Sequence, residues 1–279
     1  MTQATNVHEP SVVGFGEEWS KFDQSEINPA ELNAMFERYF AIFPWEAVGP
    51  TAVGFDAGCG SGRWARLVAP RVAQLHCVDA SPEALTVARR NLAAFGNVEY
   101  HQATIASLPF GDGSMDFGYS LGVLHHLPET EAGIAACVRT LKPGSPLLLY
   151  LYYAFDNRPG WYRALWRITD GMRRRISRMP TRRRQMIAEA IALGIYLPLA
   201  RTARHLERAG QDVSGFPLGY YRDKSFYTMR TDALDRFGTQ LEQRFTRSEI
   251  RAMMQRAGLA NVRFSDDAPY WCAVGIKAP

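Results

Sequence analysis

The densest chemistry in this 279-residue chain lies between Gly54 and Gly62, which read GFDAGCGSG. Gly58, Gly60 and Gly62 let the backbone turn sharply out of a buried strand and approach a ligand closely, where a Cβ would clash. Such a turn offers N–H groups and a helix start to the crevice at the carboxyl edge of a parallel sheet. A dinucleotide is the natural rival ligand. Its fingerprint places a third glycine three residues after the second, and counted from Gly58 and Gly60 that position holds Arg63. Asp56, two residues before the first glycine, would set one anion against another if a pyrophosphate sat there. It suits a ligand with an ammonium group and a neighbouring sulfonium. Asp79 ends the next apolar run (LHCVD) and is placed to accept hydrogen bonds from ribose hydroxyls, a role that fits either ligand.

Further residues that could act on a second molecule lie on both sides of this turn in the sequence. His125 and His126 titrate near neutrality and could take a proton from a hydroxyl, or simply pack and cap the following segment. Tyr152, with Tyr153, ends a strand at the same edge and reads as pocket wall. Trp19 and Phe22, in FGEEWSKF, form either a lid or a pin holding the N-terminus to the core. Tyr221, Arg222, Tyr227 and Arg230 fall in a stretch that is either a substrate wall or an ion-paired surface. Cys59, Cys77, Cys137 and Cys272 lack the spacing of a zinc site or redox pair, so no metal is expected and reduced thiols fit a cytoplasmic location.

These groups need a sheet edge to converge. Residues 51–153 alternate short β-type runs with helical patterns, as parallel sheets with crossover helices do. Strands are predicted at 51–56, 75–79, 98–102, 115–120 and 146–152. Ser81 caps a helix and Pro82 occupies its first turn. The pattern then breaks: 157–210 reads as two helices joined near Pro180, and 211–244 as irregular. Thr246 and Glu249 form a capping box, and closing strands near 260–264 and 270–276 make an antiparallel hairpin. The expected domains are an N-terminal helical lid (1–50), an α/β domain (51–156 and 226–279) and an inserted basic helical cap (157–225).

The segments GFDAGCGSGRWA, CVDAS, SLPFGDGSMDFGYSLGVLHHL and LKPGSPLLLY, in that order, resemble the class I S-adenosylmethionine-dependent methyltransferases. The resemblance is closest to the subgroup that includes the quinone-biosynthesis methyltransferases; it covers 51–153 and returns loosely at 246–277. It implies a Rossmann-like α/β fold, seven-stranded and mostly parallel with an antiparallel last strand, and S-adenosylmethionine as cofactor. The three glycines would cradle its methionine part, Asp56 its amino end, and Asp79 with Ala80 its ribose. Thr104 and Ile105 would lie beside the adenine, Thr104 standing where the family often has Asp, and Ser120 and Leu121 under the sulfonium. The implied reaction is in-line methyl transfer, with O-methylation of a small or lipid-linked acceptor such as a sugar placed first. The alternatives are C- or O-methylation of a quinone or other prenylated ring, and a non-catalytic cofactor binder.

Charge is unevenly spread. Residues 157–210 hold 13 Arg, no Lys and three acidic residues, a net +10, so the remainder of this +4 chain carries −6. A basic insertion on an acidic body faces something anionic. One reading puts the tip Arg173–Arg184 on an anionic membrane or a phosphorylated acceptor; the other leaves solvated arginines outside an apolar face of Trp161, Leu165, Ile168, Met172 and Ile176. Nucleic acid is not expected, because the arginines cluster in one hairpin. The chain shows no apolar run long enough to span a bilayer and no secretory leader, so a cytoplasmic, membrane-peripheral location is expected.

Overall fold

Strand and helix alternate along the chain, and a computed structural model, which describes residues 6–213 and 215–279, gathers them into two units. The first holds residues up to Gln24, Asn33–Ala154 and Leu241–Pro279. Its sheet comprises β1 (Val53–Ala57), β2 (Gln74–Asp79), β3 (Val98–Gln102), β4 (Phe117–Leu121), β5 (Pro146–Tyr150), β6 (Leu259–Phe264) and β7 (Cys272–Lys277). Their spatial order is β3-β2-β1-β4-β5-β7-β6, with β7 antiparallel to both neighbours and the remaining pairs parallel. The order reverses direction between β1 and β4, the topological switch point where open α/β sheets bind ligands. This is the Rossmann-like seven-stranded sheet, mostly parallel, that the sequence implies.

The helices follow from local signals. In chain order they are α1 (Glu9–Lys21), α2 (Pro29–Tyr39), α3 (Trp45–Val48), α4 (Ala65–Val68), α5 (Pro82–Asn91) and α6 (Thr130–Thr140), then α7 (Gly160–Ile176), α8 (Thr181–Ile191), α9 (Leu197–Arg208), α10 (Phe226–Gly238) and α11 (Arg247–Arg256). Ser81 accepts the N–H of Ala84 to cap α5, and Thr246 with Glu249 completes the capping box of α11. Phe55, Leu147 and Leu149 of the sheet pack with Leu124, Ile134 and Val138 and with Ile250 and Met254 of α11. Rings from the second helix and the turn after it, Phe36, Phe40 and Phe43, meet Phe117 and Tyr119.

The second unit comprises Ser25–Leu32 and Phe155–Gln240. It reaches past the 157–225 expected for the cap, because α10 supplies Met229, Ala233 and Phe237 to a core shared with Ile176, Ile191, Tyr196 and Ala200. The stretch 211–244, read as irregular, therefore contains a 13-residue helix. Its N-cap is Ser225, which accepts the N–H of Thr228. Helices α8 and α9 join through a π-helical turn at Ala192–Tyr196 into one run, Thr181–Arg208, long and apolar enough to cross a membrane by length and composition. Ile191, Ala192, Tyr196 and Ala200 turn its inner side into this unit's core instead.

The expected apolar face of α7 lies outward except at Ile176, while Arg163, Arg167, Arg174 and Arg178 are exposed as expected. Trp161 (56%), Leu165 (44%), Ile168 (67%) and Met172 (47%) are exposed, while Asp170, Arg173 and Ile176 are buried. Arg173 explains the outward turn of that face. Its Nε donates to Asp170 Oδ1 at 2.7 Å and its Nη1 to the Thr239 carbonyl at 2.8 Å, tying α7 to the C-terminal end of α10. A guanidinium there also complements the helix dipole. Thr181 opens α8 as its first residue, with Pro180 in the cap position. Arg184 is buried.

Candidate functional site

At the carboxyl end of β1 the chain enters the glycine turn, and Gly58, Gly60 and Gly62 all take positive φ (86°, 54° and 76°). Only glycine adopts these angles without strain. The neighbours differ. A Cβ on Gly58 would meet the Val123 side chain at 2.4 Å, and one on Gly62 the Leu92 side chain at 2.7 Å. At Gly60 the neighbour is the indole of Trp19, at 2.9 Å.

Four amides of the turn are bonded within the protein. The N–H groups of Gly58 and Cys59 both donate to the Val78 carbonyl, Gly60 N–H to Asp79 Oδ2, and Gly62 N–H to the Cys59 carbonyl. These bonds tie β1 to β2. The one-turn helix that follows opens at Ala65.

Asp56 is 1% exposed, with the Tyr119 hydroxyl as the hydrogen-bonding group beside it. Burial pushes its carboxyl up to about 8, with the charge of Asp79 adding to the rise and the nearby Tyr119 hydroxyl and Arg63 opposing it. A buried carboxylate favours a cation beside it, and the ammonium of a methionine-type ligand fits that demand. Asp79 accepts from Ser81 N–H at Oδ1 and from Gly60 N–H at Oδ2, each at 2.9 Å, and the Ala80 amide also acts on it. Its burial is partial, leaving carboxylate lone pairs for hydroxyl donors.

The first helix lies along this loop. Trp19 faces Gly60, Gly16 sits against Ser81 and Glu83, and the Phe15 ring lies 5.0 Å from that of His126. Trp19 thus meets the glycine turn. Ser120 donates to the Ala57 carbonyl at 2.7 Å and fastens β4 to the end of β1, with buried Leu121 beside it. Thr104 caps a short 3-10 turn, its hydroxyl against Ser107, while Ile105 points into the core. Ile105 therefore offers a crevice its backbone, not its side chain.

His125 is fully buried, stacks on Tyr152 at 3.8 Å, and has no hydrogen-bond partner on either ring nitrogen. Burial, then the charges of His126 and Arg244, hold its pKa well below the usual histidine value. His126 donates from Nδ1 to the Leu241 carbonyl at 2.6 Å, which leaves Nε2 as the nitrogen with the lone pair. The returning segment holds this loop. Gln243 donates its backbone N–H to the His125 carbonyl and its side chain to the Leu127 carbonyl, and Arg244 lies over the Tyr152 ring at 5.0 Å. Sequence reading missed Leu241, Gln243 and Arg244, because no motif or periodicity marks a loop whose partners lie more than a hundred residues away.

Tyr221, Arg222, Tyr227 and Arg230 all belong to the second unit. Arg222 pairs with Glu207 at 2.8 Å and Arg230 with Glu189 at 2.9 Å, so both guanidinium groups already have carboxylates. Tyr221 packs on Tyr196, and the Tyr227 carbonyl accepts from Thr231. The ion-paired reading of this stretch describes its arginines better than the substrate wall does.

Comparison with known proteins adds to this geometry. Residues 55–149 match the family model described as a methyltransferase domain. The chain is 35% identical over 124 residues to the ubiquinone biosynthesis O-methyltransferase of Hahella chejuensis, covering 44% of this chain and 49% of that protein. It is 28% identical to that of Idiomarina loihiensis, covering 46% and 62%. The chain thus spans about half to two thirds of the length of these relatives. Among solved structures, it superimposes on one from the complex of the Haloferax volcanii Trm112 methyltransferase activator with TM-score 0.54, 15% identity and coverage of 95% and 98%. The S-adenosylmethionine-dependent methyltransferase SibL gives 0.53 at 15% identity, with coverage of 88% and 55%. With the sheet order and a buried carboxylate at the end of β1, these matches place residues 55–149 among the class I S-adenosylmethionine-dependent methyltransferases.

Proposed function

We propose that the protein transfers a methyl group from S-adenosylmethionine to a hydroxyl of a small acceptor carried on a lipid. The observation that carries this reading is Asp56: a carboxylate 1% exposed at the end of β1, which burial holds far above its ordinary range. The bound cofactor supplies a methyl group already activated on a sulfonium. What this chain supplies is position and water exclusion. Asp56 holds the amino end, Asp79 the ribose, and the Trp19 helix lies over the glycine turn.

A hydroxyl acceptor needs its proton removed during transfer. His126 is the better placed of the two histidines, since the Leu241 carbonyl fixes its Nδ1 proton and so leaves Nε2 basic. His125, buried and held neutral, orients the loop through its stack on Tyr152.

The relatives named as ubiquinone biosynthesis O-methyltransferases support a prenylated ring hydroxyl as the acceptor to try first, ahead of the lipid-linked sugar expected from sequence. A lipid-borne acceptor agrees with the exposed apolar stripe of α7 and the exposed arginines around it, which suit the cytoplasmic face of an anionic membrane. Calorimetry with S-adenosylhomocysteine, NAD as control, tests the cofactor reading, and binding of NAD alone would refute it. Radiolabelled methyl transfer into lipid and aqueous extracts, followed by mass analysis of the product, separates ring from sugar. Cofactor binding with no transfer into either extract would mark a non-catalytic binder.

A further inference from the structure

On the far side of the cofactor strands, three side chains converge across the β2–β3 pair. His76 is in register with Glu99, and His101 follows two residues later, so all three project from the same face. His76 Nδ1 lies 3.0 Å from His101 Nε2 and 3.4 Å from Glu99 Oε2, and His101 Nε2 lies 3.8 Å from the same oxygen. Both imidazoles are partly buried, and Phe110 packs against them at 5.1 and 5.4 Å.

We propose that His76, Glu99 and His101 form a site for a divalent transition-metal ion, zinc foremost, that staples the edge strand β3 to β2.

Two arguments carry this. The first is geometric. Ion-paired hydrogen bonds draw nitrogen and oxygen to about 2.7–2.9 Å, and both carboxylate contacts here are longer. A triangle of 3.0, 3.4 and 3.8 Å has instead a point about 2.0 Å from all three corners, and zinc bonds imidazole nitrogen and carboxylate oxygen at about 2.0–2.2 Å. A metal at that length sits slightly above the ligand plane, as in a tetrahedral site whose fourth ligand is water. The second is chemical. Two imidazoles and one carboxylate suit zinc and its neighbours, whereas magnesium and calcium prefer all-oxygen shells. Without an ion His76 Nδ1 and His101 Nε2 share one hydrogen bond, so metal binding replaces that shared proton. The Arg89 guanidinium, over the Tyr100 ring, opposes a cation at His101, and the Glu99 carboxylate balances it.

The strands joined in this way end at Asp79 and lead into Thr104, so the ion steadies the cofactor edge without entering the reaction. His76 precedes Asp79 by three residues on one strand.

The test uses tag-free full-length protein, stripped with chelator and checked by circular dichroism. Cobalt(II) titration is expected to give one equivalent of uptake with the strong visible bands of a tetrahedral ion. No thiolate charge-transfer band should appear, which separates this site from the four free cysteines. Zinc should compete, magnesium should not, and zinc should raise the melting temperature. His101→Gln and Glu99→Gln should each weaken cobalt affinity by roughly tenfold or more while preserving the fold. Folded wild type that takes up no cobalt, or takes it up as tightly in both variants, overturns the site.

Discussion

Asp56 concentrates the electrostatic tension of the chain in one side chain. With its carboxyl pushed to about 8, the ligand-free folded protein holds a proton between the ordinary carboxylate range and pH 8 that the unfolded chain has released. Stability must therefore fall as pH rises through that window. A cationic ligand removes the penalty. The melting temperature of ligand-free protein is expected to drop between pH 6 and pH 8.5, with S-adenosylhomocysteine recovering most of the loss at the upper end. Asp56→Asn should flatten the ligand-free profile and weaken S-adenosylhomocysteine by roughly 10- to 100-fold, about 1.5–3 kcal/mol for a lost charged hydrogen bond. A steep profile retained in the variant would show that another group carries the proton. Gly58 tests the turn itself. Gly58→Ala combines φ of +86° with a Cβ 2.4 Å from Val123, so it should destabilise by about 1–3 kcal/mol in denaturant unfolding. At this scale the sequence was informative about residue type and poor about orientation. Asp56, Asp79 and the glycines are legible because their spacing is local. That Ile105 faces the core, that Arg222 and Arg230 already hold carboxylates, and that the turn amides are committed to Val78 and Asp79 depend on partners far along the chain.

Elements were recovered wherever periodicity and caps agreed. Ser81 and the Thr246–Glu249 box mark α5 and α11 correctly, and the seven strands fall within a few residues of their predicted bounds. Helix α10 escaped because Tyr227 and its threonines and aspartates blur the apolar period; tertiary packing of Met229, Ala233 and Phe237 decides its state. The outward apolar face of α7 has the same origin, since one buried Arg173–Asp170 pair outweighs a stripe of apolar side chains. For function the informative element is α1. It touches the glycine turn through Trp19, the start of α5 through Gly16 and the histidine loop through Phe15. Trp19→Ala should leave the fold intact and speed release of S-adenosylhomocysteine, read by stopped-flow fluorescence, with the larger change in off-rate. A variant with unchanged off-rate would make the helix a pin for the N-terminus and not a cover. His126→Asn should lower kcat for a hydroxyl acceptor by about 100-fold or more while sparing cofactor affinity, on the usual contribution of a general base. Equal loss in His125→Asn would point to loop packing in place of proton transfer.

Across the whole molecule, a net +10 between residues 157 and 210 against −6 elsewhere is an asymmetry that burial only partly absorbs. Arg173 and Arg184 are buried, so they cannot be the membrane-facing groups that the hairpin tip suggested; Arg174, Arg175, Arg178, Arg182 and Arg183 remain exposed. Beside them Trp161, Leu165, Ile168 and Met172 are open to solvent along one side of α7. An apolar stripe alone would favour self-association, and arginines alone would bind any polyanion. Together they match an interfacial helix, whose apolar side enters the lipid boundary while its basic groups meet phosphates. Each exposed arginine near an anionic surface contributes about 1 kcal/mol, and the contribution shrinks with salt. Two variants separate these contributions. Replacing Arg182 and Arg183 by Ser should reduce flotation with anionic vesicles at low salt and matter little at high salt. Ile168→Ser with Met172→Ser should reduce flotation at both, because the lost term is apolar. Wild type that fails to float with anionic vesicles at low salt would remove the membrane from the account. It would leave the acceptor to be sought among soluble metabolites, with the cofactor end of the sheet unchanged.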